Sequence, residues 1–329
     1  MFFDIAKILS GITVFLLGLR FISVYTEKAV GDGFKSLLLK ASKNRLVSCG
    51  LGAFSTCIAQ SSVATNMVAI SFLSTGAITL TGACAMVIGT NIGTTITAQI
   101  VSLKFAGFFD FSSIGFTVAF IGFLISGKDG KISSLGYSLL GFGLIFIGIE
   151  ILSNSVESFK EYEWFNRLFL IKSAPILLLN GFFITAICQS SSVVSSMLVV
   201  LASQHIIGFS TSVYLLLGAN IGTCMPVIFA TIKLSESERQ VALFNILFNI
   251  FGGAIFFFLF QTGGWLTDLL TSTSTSVSRQ IANFHTFFNL TTGLISLPLL
   301  NVFVKLCKLI VKPNKLSKKE YAQNKITKI

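Results

Sequence analysis

Charge is scarce in this chain: Asp, Glu, Lys and Arg together make up 11% of 329 residues, against roughly 25% in soluble globular domains. With 53% hydrophobic residues and a mean hydropathy of +0.83, this excludes a soluble globular protein and predicts an integral membrane protein. No Cys-x-x-Cys pair occurs among Cys49, Cys57, Cys84, Cys188, Cys224 and Cys307. Neither a disulfide frame nor a metal site is expected, and the six read as buried thiols. No Gly-x-Ser-x-Gly elbow is present, and the first half has no His, which argues against a serine hydrolase pairing a Ser with His285. Basic segments interleaved with aromatics are also missing. The net charge of +11 gathers in residues 28–45 and from Lys305 to Lys328, as expected for flanks of membrane spans and not for a nucleic-acid surface. The first apolar stretch lacks a small-residue cleavage site, so it is expected to be a retained helix.

What is present is a pair of polar signatures, used twice. Gln60-Ser61-Ser62 is followed by Gly89-Thr90-Asn91-Ile92-Gly93-Thr94, and Gln189-Ser190-Ser191-Ser192 by Gly218-Ala219-Asn220-Ile221-Gly222-Thr223. Residues 52–94 laid over 181–223 without a gap share 14 identities in 43 positions, an offset of 129. An internal duplication explains this. Neutral hydrogen-bonding side chains inside apolar sequence are costly in hydrocarbon unless they meet partners, water or a ligand.

The order of elements follows. Residues 5–26 form a first span, and residues 27–45 an amphipathic, basic interfacial helix. Residues 46–73 hold Gln60-Ser61-Ser62 at their centre, which leaves two arms too short to cross and predicts a re-entrant hairpin. Residues 77–101 are long enough to span but contain Gly89, Asn91 and Gly93, which predicts a helix broken in mid-membrane. A span at 112–126 closes the first half. The second half repeats the order: a span at 133–153, a connector at 154–172, a hairpin at 174–204, a broken helix at 206–232 and a span at 241–262. An extra span at 281–304 precedes the basic tail. The division expected is 1–132, 133–262, a loop and helix at 263–304, and a cytoplasmic tail at 305–329. The first connector nets +3 and the second, with Glu157, Glu161 and Glu163, is acidic. The positive-inside rule therefore puts them on opposite faces, with the N-terminus outside and the C-terminus cytoplasmic. The fold class is an all-α polytopic membrane protein with inverted-topology repeats.

In that geometry both hairpin tips meet near the midplane and present helix N-termini, an oxyanion site that needs no Lys or Arg. Gln60, Ser61, Ser62, Gln189, Ser190 and Ser191 are the candidate oxyanion-binding residues. Ser192, Thr94, Thr95, Thr223, Asn91 and Asn220 offer neutral oxygens for sodium. No Asp or Glu lies inside a hairpin or broken helix, which favours sodium over proton coupling and over a divalent metal. Arg239 and Arg279 suit either helix-end anchoring or a pathway.

Gln-Ser-Ser followed 31 residues later by the Asn of Gly-x-Asn-Ile-Gly-Thr, present twice, resembles the type II sodium-dependent phosphate cotransporter family. The likeness covers about residues 46–101 and 174–232. Arg279-Gln280-Ile281-Ala282 through His285 and Phe288-Asn289 is similar to a further family stretch. The resemblance implies a non-enzymatic symporter of the cell membrane that takes up inorganic phosphate with sodium by alternating access. It implies no cofactor, the lipid bilayer and a possible homodimer as partners, and no nucleic acid. A carrier of sulfate or a dicarboxylate remains open on the residues, since helix N-termini suit any such oxyanion.

Overall fold

The computed structural model describes residues 2–30, 44–105, 111–159, 162, 171 and 173–312. Among these every regular element is helical: α1 (Phe2–Val30), α2 (Arg45–Ala59), α3 (Ser62–Ser74), α4 (Leu80–Lys104), α5 (Phe111–Ser126), α6 (Gly130–Phe159), α7 (Ala174–Cys188), α8 (Ser191–Ser203), α9 (Phe209–Gly222), α10 (Cys224–Thr231), α11 (Glu236–Thr262), α12 (Gly264–Thr271) and α13 (Val277–Ile310). By length and composition α1, α4, α6, α9 with α10, α11 and α13 can each cross a membrane. The span expected at 112–126 is the 16-residue α5, about 24 Å at 1.5 Å per residue and shorter than these six. Most of the basic connector and the tail expected beyond Lys312 lie outside the described residues, as does most of the second connector.

Two helix–turn–helix pairs fill the stretches expected to be hairpins, α2 with α3 and α7 with α8. Each turns on its glutamine: Gln60 has φ 52 and Gln189 φ 56, both left-handed, and their N–H groups donate to Thr56 O and Thr185 O. A left-handed residue closes the last turn of one helix and redirects the chain within two residues. Ser61 and Ser190 then cap the following helix, their hydroxyls accepting from Ala64 N at 3.2 Å and Val193 N at 3.4 Å. At the far ends, Gly76 (φ 74) and His205 (φ 56) occupy corresponding turn positions. His205 is exposed there and serves the turn.

Glycines bring equivalent helices together in the same register in both halves. A Cβ on Gly89 would sit 1.9 Å from Cys49 O, and one on Gly218 1.9 Å from Leu178 O. Gly52 meets Met86 O as Gly181 meets Leu215 O, and Gly93 meets Ala53 O as Gly222 meets Phe182 O. Every partner is offset by the 129 residues of the sequence repeat. Backbones this close leave no room for any side chain, the small-xxx-small mode of membrane helix packing. α1 and α6 form the other pair: Gly18 lies on Gly141 and Gly148 on Phe15, while Gly11 lies on Leu152. The partner numbers fall as the α1 numbers rise, so the two helices run antiparallel.

The first of the two expected broken helices is corrected, while the second is interrupted at Thr223, between α9 and α10. α4 runs uninterrupted through Asn91, and α9 and α10 are separated only by Thr223, whose backbone stays helical at φ −61, ψ −20. The physical reason is visible in the side chains. Asn91 Nδ2 donates to Val87 O at 2.9 Å, Asn220 Nδ2 to Leu216 O at 2.9 Å, and Thr94 and Thr223 bond back to the carbonyls four residues earlier. The polar groups satisfy themselves on their own helix, and the glycines serve packing.

Candidate functional site

The two tips close around one cavity of about 120 Å³, lined by Gln60, Ser61, Ser62, Val63, Gln189, Ser190, Ser191, Ser192 and Pro226. That is several times the space one water molecule requires. All six residues expected to bind the oxyanion are on this wall, together with Ser192 from the cation set. No Lys, Arg, His, Asp or Glu lines it. The positive potential comes from the N-termini of α3 and α8, whose first N–H groups have no helical acceptor and carry about half a unit charge per helix. Ser61 and Ser190 use their hydroxyl oxygens on the third N–H, which leaves the N–H groups of the two preceding residues at each tip facing the turn.

Thr97, which the sequence reading did not single out, joins the tips. Its Oγ1 is hydrogen-bonded to Gln60 Oε1 and lies 3.3 Å from Ser192 Oγ, while Gln60 Nε2 donates to Cys57 O. One hydroxyl carries one proton. With that proton given to Gln60, Ser192 donates to Thr97, and Ser192 Oγ then offers only lone pairs to the cavity. Among the described residues the second half has no counterpart to Thr97: the repeat offset falls on Pro226, which has no donor, and Gln189 is exposed. The bridge therefore holds the glutamine of the first tip and a serine of the second, and the two glutamines are held differently. The signal was available: Thr97 stands one turn beyond Thr94, where the run of identities stops.

The remaining cation candidates lie elsewhere. Asn91, Asn220, Thr94, Thr95 and Thr223 are buried but do not line the cavity. Thr95 Oγ1 donates to Ile92 O at 2.8 Å. Asn91 reaches Asn245 Oδ1 at 3.4 Å, and Asn245 Oδ1 also accepts from Asn249 Nδ2 at 3.1 Å. This buried amide cluster on α4 and α11 was not anticipated.

Arg279 donates to Gln99 O at 3.2 Å and Ser102 Oγ at 2.9 Å, at the C-terminal end of α4. Arg239 donates to Lys312 O at 2.9 Å, just past the end of α13. Both cations therefore sit at helix C-termini, where the helix dipole favours them, and the anchoring role is the one realised. His285 has neither ring nitrogen hydrogen-bonded, so no tip serine is paired with it. Among the described residues no three His, Cys, Asp or Glu side chains cluster as a metal site. Cys49, Cys84, Cys224 and Cys307 are buried as expected, whereas Cys57 is half-buried and Cys188 exposed, each beside a tip glutamine.

The family model described as Na+/Pi-cotransporter matches residues 14–154 and 167–277. "Uncharacterized protein YqeW" of Bacillus subtilis is 32% identical over 263 residues, 78% of this chain and 81% of the relative. "Putative inorganic phosphate export protein YjbB" of Escherichia coli K12 is 25% identical over 309 residues, 93% of this chain, and its Salmonella typhimurium namesake gives the same values. The chain spans 55% of the length of those two relatives. No solved structure matches the chain.

Proposed function

Because the chain belongs to the Na+/Pi-cotransporter family, whose model matches most of it, we propose that it carries inorganic phosphate across a membrane together with sodium. The single observation that supports this reading most strongly is the cavity between two tips of the same construction, each a left-handed glutamine followed by a capping serine and a helix N-terminus. Phosphate sits there, its oxygens met by the N–H groups of Ser62, Val63, Ser191 and Ser192 and by tip hydroxyls.

The charges explain the need for a second ion. Two helix N-termini supply roughly one positive charge, and a doubly charged phosphate leaves about one unmatched. No cationic side chain lines the cavity, so a small cation supplies the balance. Ser192 Oγ, left with lone pairs by its bond to Thr97, is placed to share it. Antiparallel α1 and α6, which correspond in the sequence repeat, support inverted halves, with α2–α3 and α7–α8 entering from opposite faces as re-entrant hairpins. The domain division at about residue 132 and the orientation with the C-terminus in the cytoplasm belong to this reading. Alternating access then parts the two tips and breaks the Thr97 bridge between them.

The test is labelled-phosphate flux into proteoliposomes with sodium replaced by choline. Uptake should fall to the level of protein-free vesicles, and uptake indifferent to the replacement rejects sodium coupling. The name of the Escherichia coli relative favours a second direction of net flux, outward. Vesicles loaded with phosphate and given an outward sodium gradient distinguish it: efflux that matches the inward rate shows a carrier that follows its gradients, and efflux alone shows an exporter.

A further inference from the structure

Among the described residues buried polar atoms without a hydrogen-bond partner occur at Thr56 and Thr185 near the tips, at Arg239, and at His285 and Asn289 on α13, and three more gather where α4, α11 and α13 meet. Asn249 Oδ1, Thr292 Oγ1 and Ser296 Oγ are buried without a hydrogen-bond partner, and none lines the tip cavity. Their helices bring them to one level. α11 and α13 run antiparallel: Gln240 Nε2 approaches Val311 O at 3.4 Å, a Cβ on Gly252 would lie 2.6 Å from Thr292 Oγ1, and the rings of Phe256 and Phe288 are 5.1 Å apart. In that register Asn249, about one turn before Gly252, faces Ser296, one turn after Thr292. α4 closes the third side. A Cβ on Gly293 would meet Ile92 at 3.0 Å, next in sequence to Asn91, and Asn91 Nδ2 reaches Asn245 Oδ1 at 3.4 Å.

The amide donors of this cluster are already committed. Asn91 Nδ2 serves Val87 O and Asn245 Oδ1, and Asn249 Nδ2 serves Asn245 O, Asn245 Oδ1 and Cys224 Sγ. What is left is one amide carbonyl and two hydroxyls, three neutral oxygens without a partner at membrane depth. A divalent ion is bound through carboxylates and a proton needs an acid or base, and neither is among these side chains. Amide carbonyls and hydroxyls match a monovalent hard cation.

We propose that Asn249 Oδ1, Thr292 Oγ1 and Ser296 Oγ form a sodium-binding site separate from the tip cavity, with α4 closing its third side at Asn91. The proposal rests on the reading of this chain as a sodium-coupled carrier and adds where an ion binds. An ion held there braces α4, the helix that carries Thr97, against α11 and α13, and so links ion occupancy to the bridge between the tips.

The experiment is sodium-dependent thermal stabilisation of the purified full chain in detergent, without phosphate, titrating sodium against choline at constant ionic strength. Wild type should gain melting temperature saturably with sodium. Thr292→Val and Ser296→Ala should each raise the half-saturating sodium concentration at least ten-fold, and Thr292→Ser should stay within two-fold of wild type. Thr117→Val, an exposed hydroxyl on α5 that bonds Ser113 O outside both sites, should keep the wild-type midpoint. Unchanged midpoints in Thr292→Val and Ser296→Ala overturn the site, as does an equal change in Thr117→Val. If Thr292→Val does not fold, Ser296→Ala and Thr292→Ser carry the same comparison. Because phosphate is absent, loss of this site and loss of the transport reading register in different assays.

Discussion

Thr97→Val removes one hydroxyl and keeps the side-chain shape, so it isolates the bridge between the tips. Two contacts disappear, one to Gln60 Oε1 and one to Ser192 Oγ. Each is a neutral hydrogen bond with a net contribution of about 1 kcal/mol, and Gln60, only half-buried, recovers part of its loss from water. The sum is about 2 kcal/mol, which at 1.4 kcal/mol per decade is roughly a thirty-fold loss. It should register in phosphate affinity, because the bridge holds the first tip in the position that closes the cavity around the anion. Initial rates of labelled-phosphate uptake in proteoliposomes should show KM raised ten- to thirty-fold, while Thr97→Ser stays within two-fold of wild type. A Thr97→Val protein with wild-type KM and wild-type melting temperature would mean that the bridge does not organise the site.

Three further outcomes follow from the same geometry. Gly218→Ala drives a methyl group to 1.9 Å from Leu178 O and should cost about 3 kcal/mol; Gly50→Ala, whose added methyl meets nothing within 4 Å, should instead stabilise by about 0.5–1 kcal/mol, and thermal unfolding in detergent compares them directly. Gln189→Gly relieves a left-handed backbone at φ 56 and should stabilise the protein by about 1 kcal/mol while uptake falls at least ten-fold; retained uptake would show that the side chain takes no part in binding. Arg279→Leu loses the charge-assisted contacts at the end of α4, so the melting temperature should drop by the equivalent of about 2 kcal/mol with KM unchanged, and a raised KM would place Arg279 on the phosphate path instead.

Much of this protein is written in the order of its residues. Polar tips flanked by apolar arms too short to span predict α2–α3 and α7–α8 almost to the residue, since a membrane helix has one length scale and a Gln-Ser-Ser run interrupts it. The repeat offset of 129 likewise announces which residues share roles. What it does not announce is what each polar residue does with its hydrogen bonds. Asn91 and Asn220 beside glycines carry the same letters whether the helix unwinds or packs, and the choice depends on the opposing backbone. With Cys49 O pressed onto Gly89, the uninterrupted helix is the one that fits in the first half, whereas in the second the chain is interrupted at Thr223. Only the tertiary structure likewise sets Thr97 between two tips, leaves Pro226 unable to do the same, and gathers Asn249, Thr292 and Ser296 from separate helices. Local pattern specifies an element through its own periodicity and length, whereas a site depends on which side chains of distant elements remain unpaired once the packing is complete.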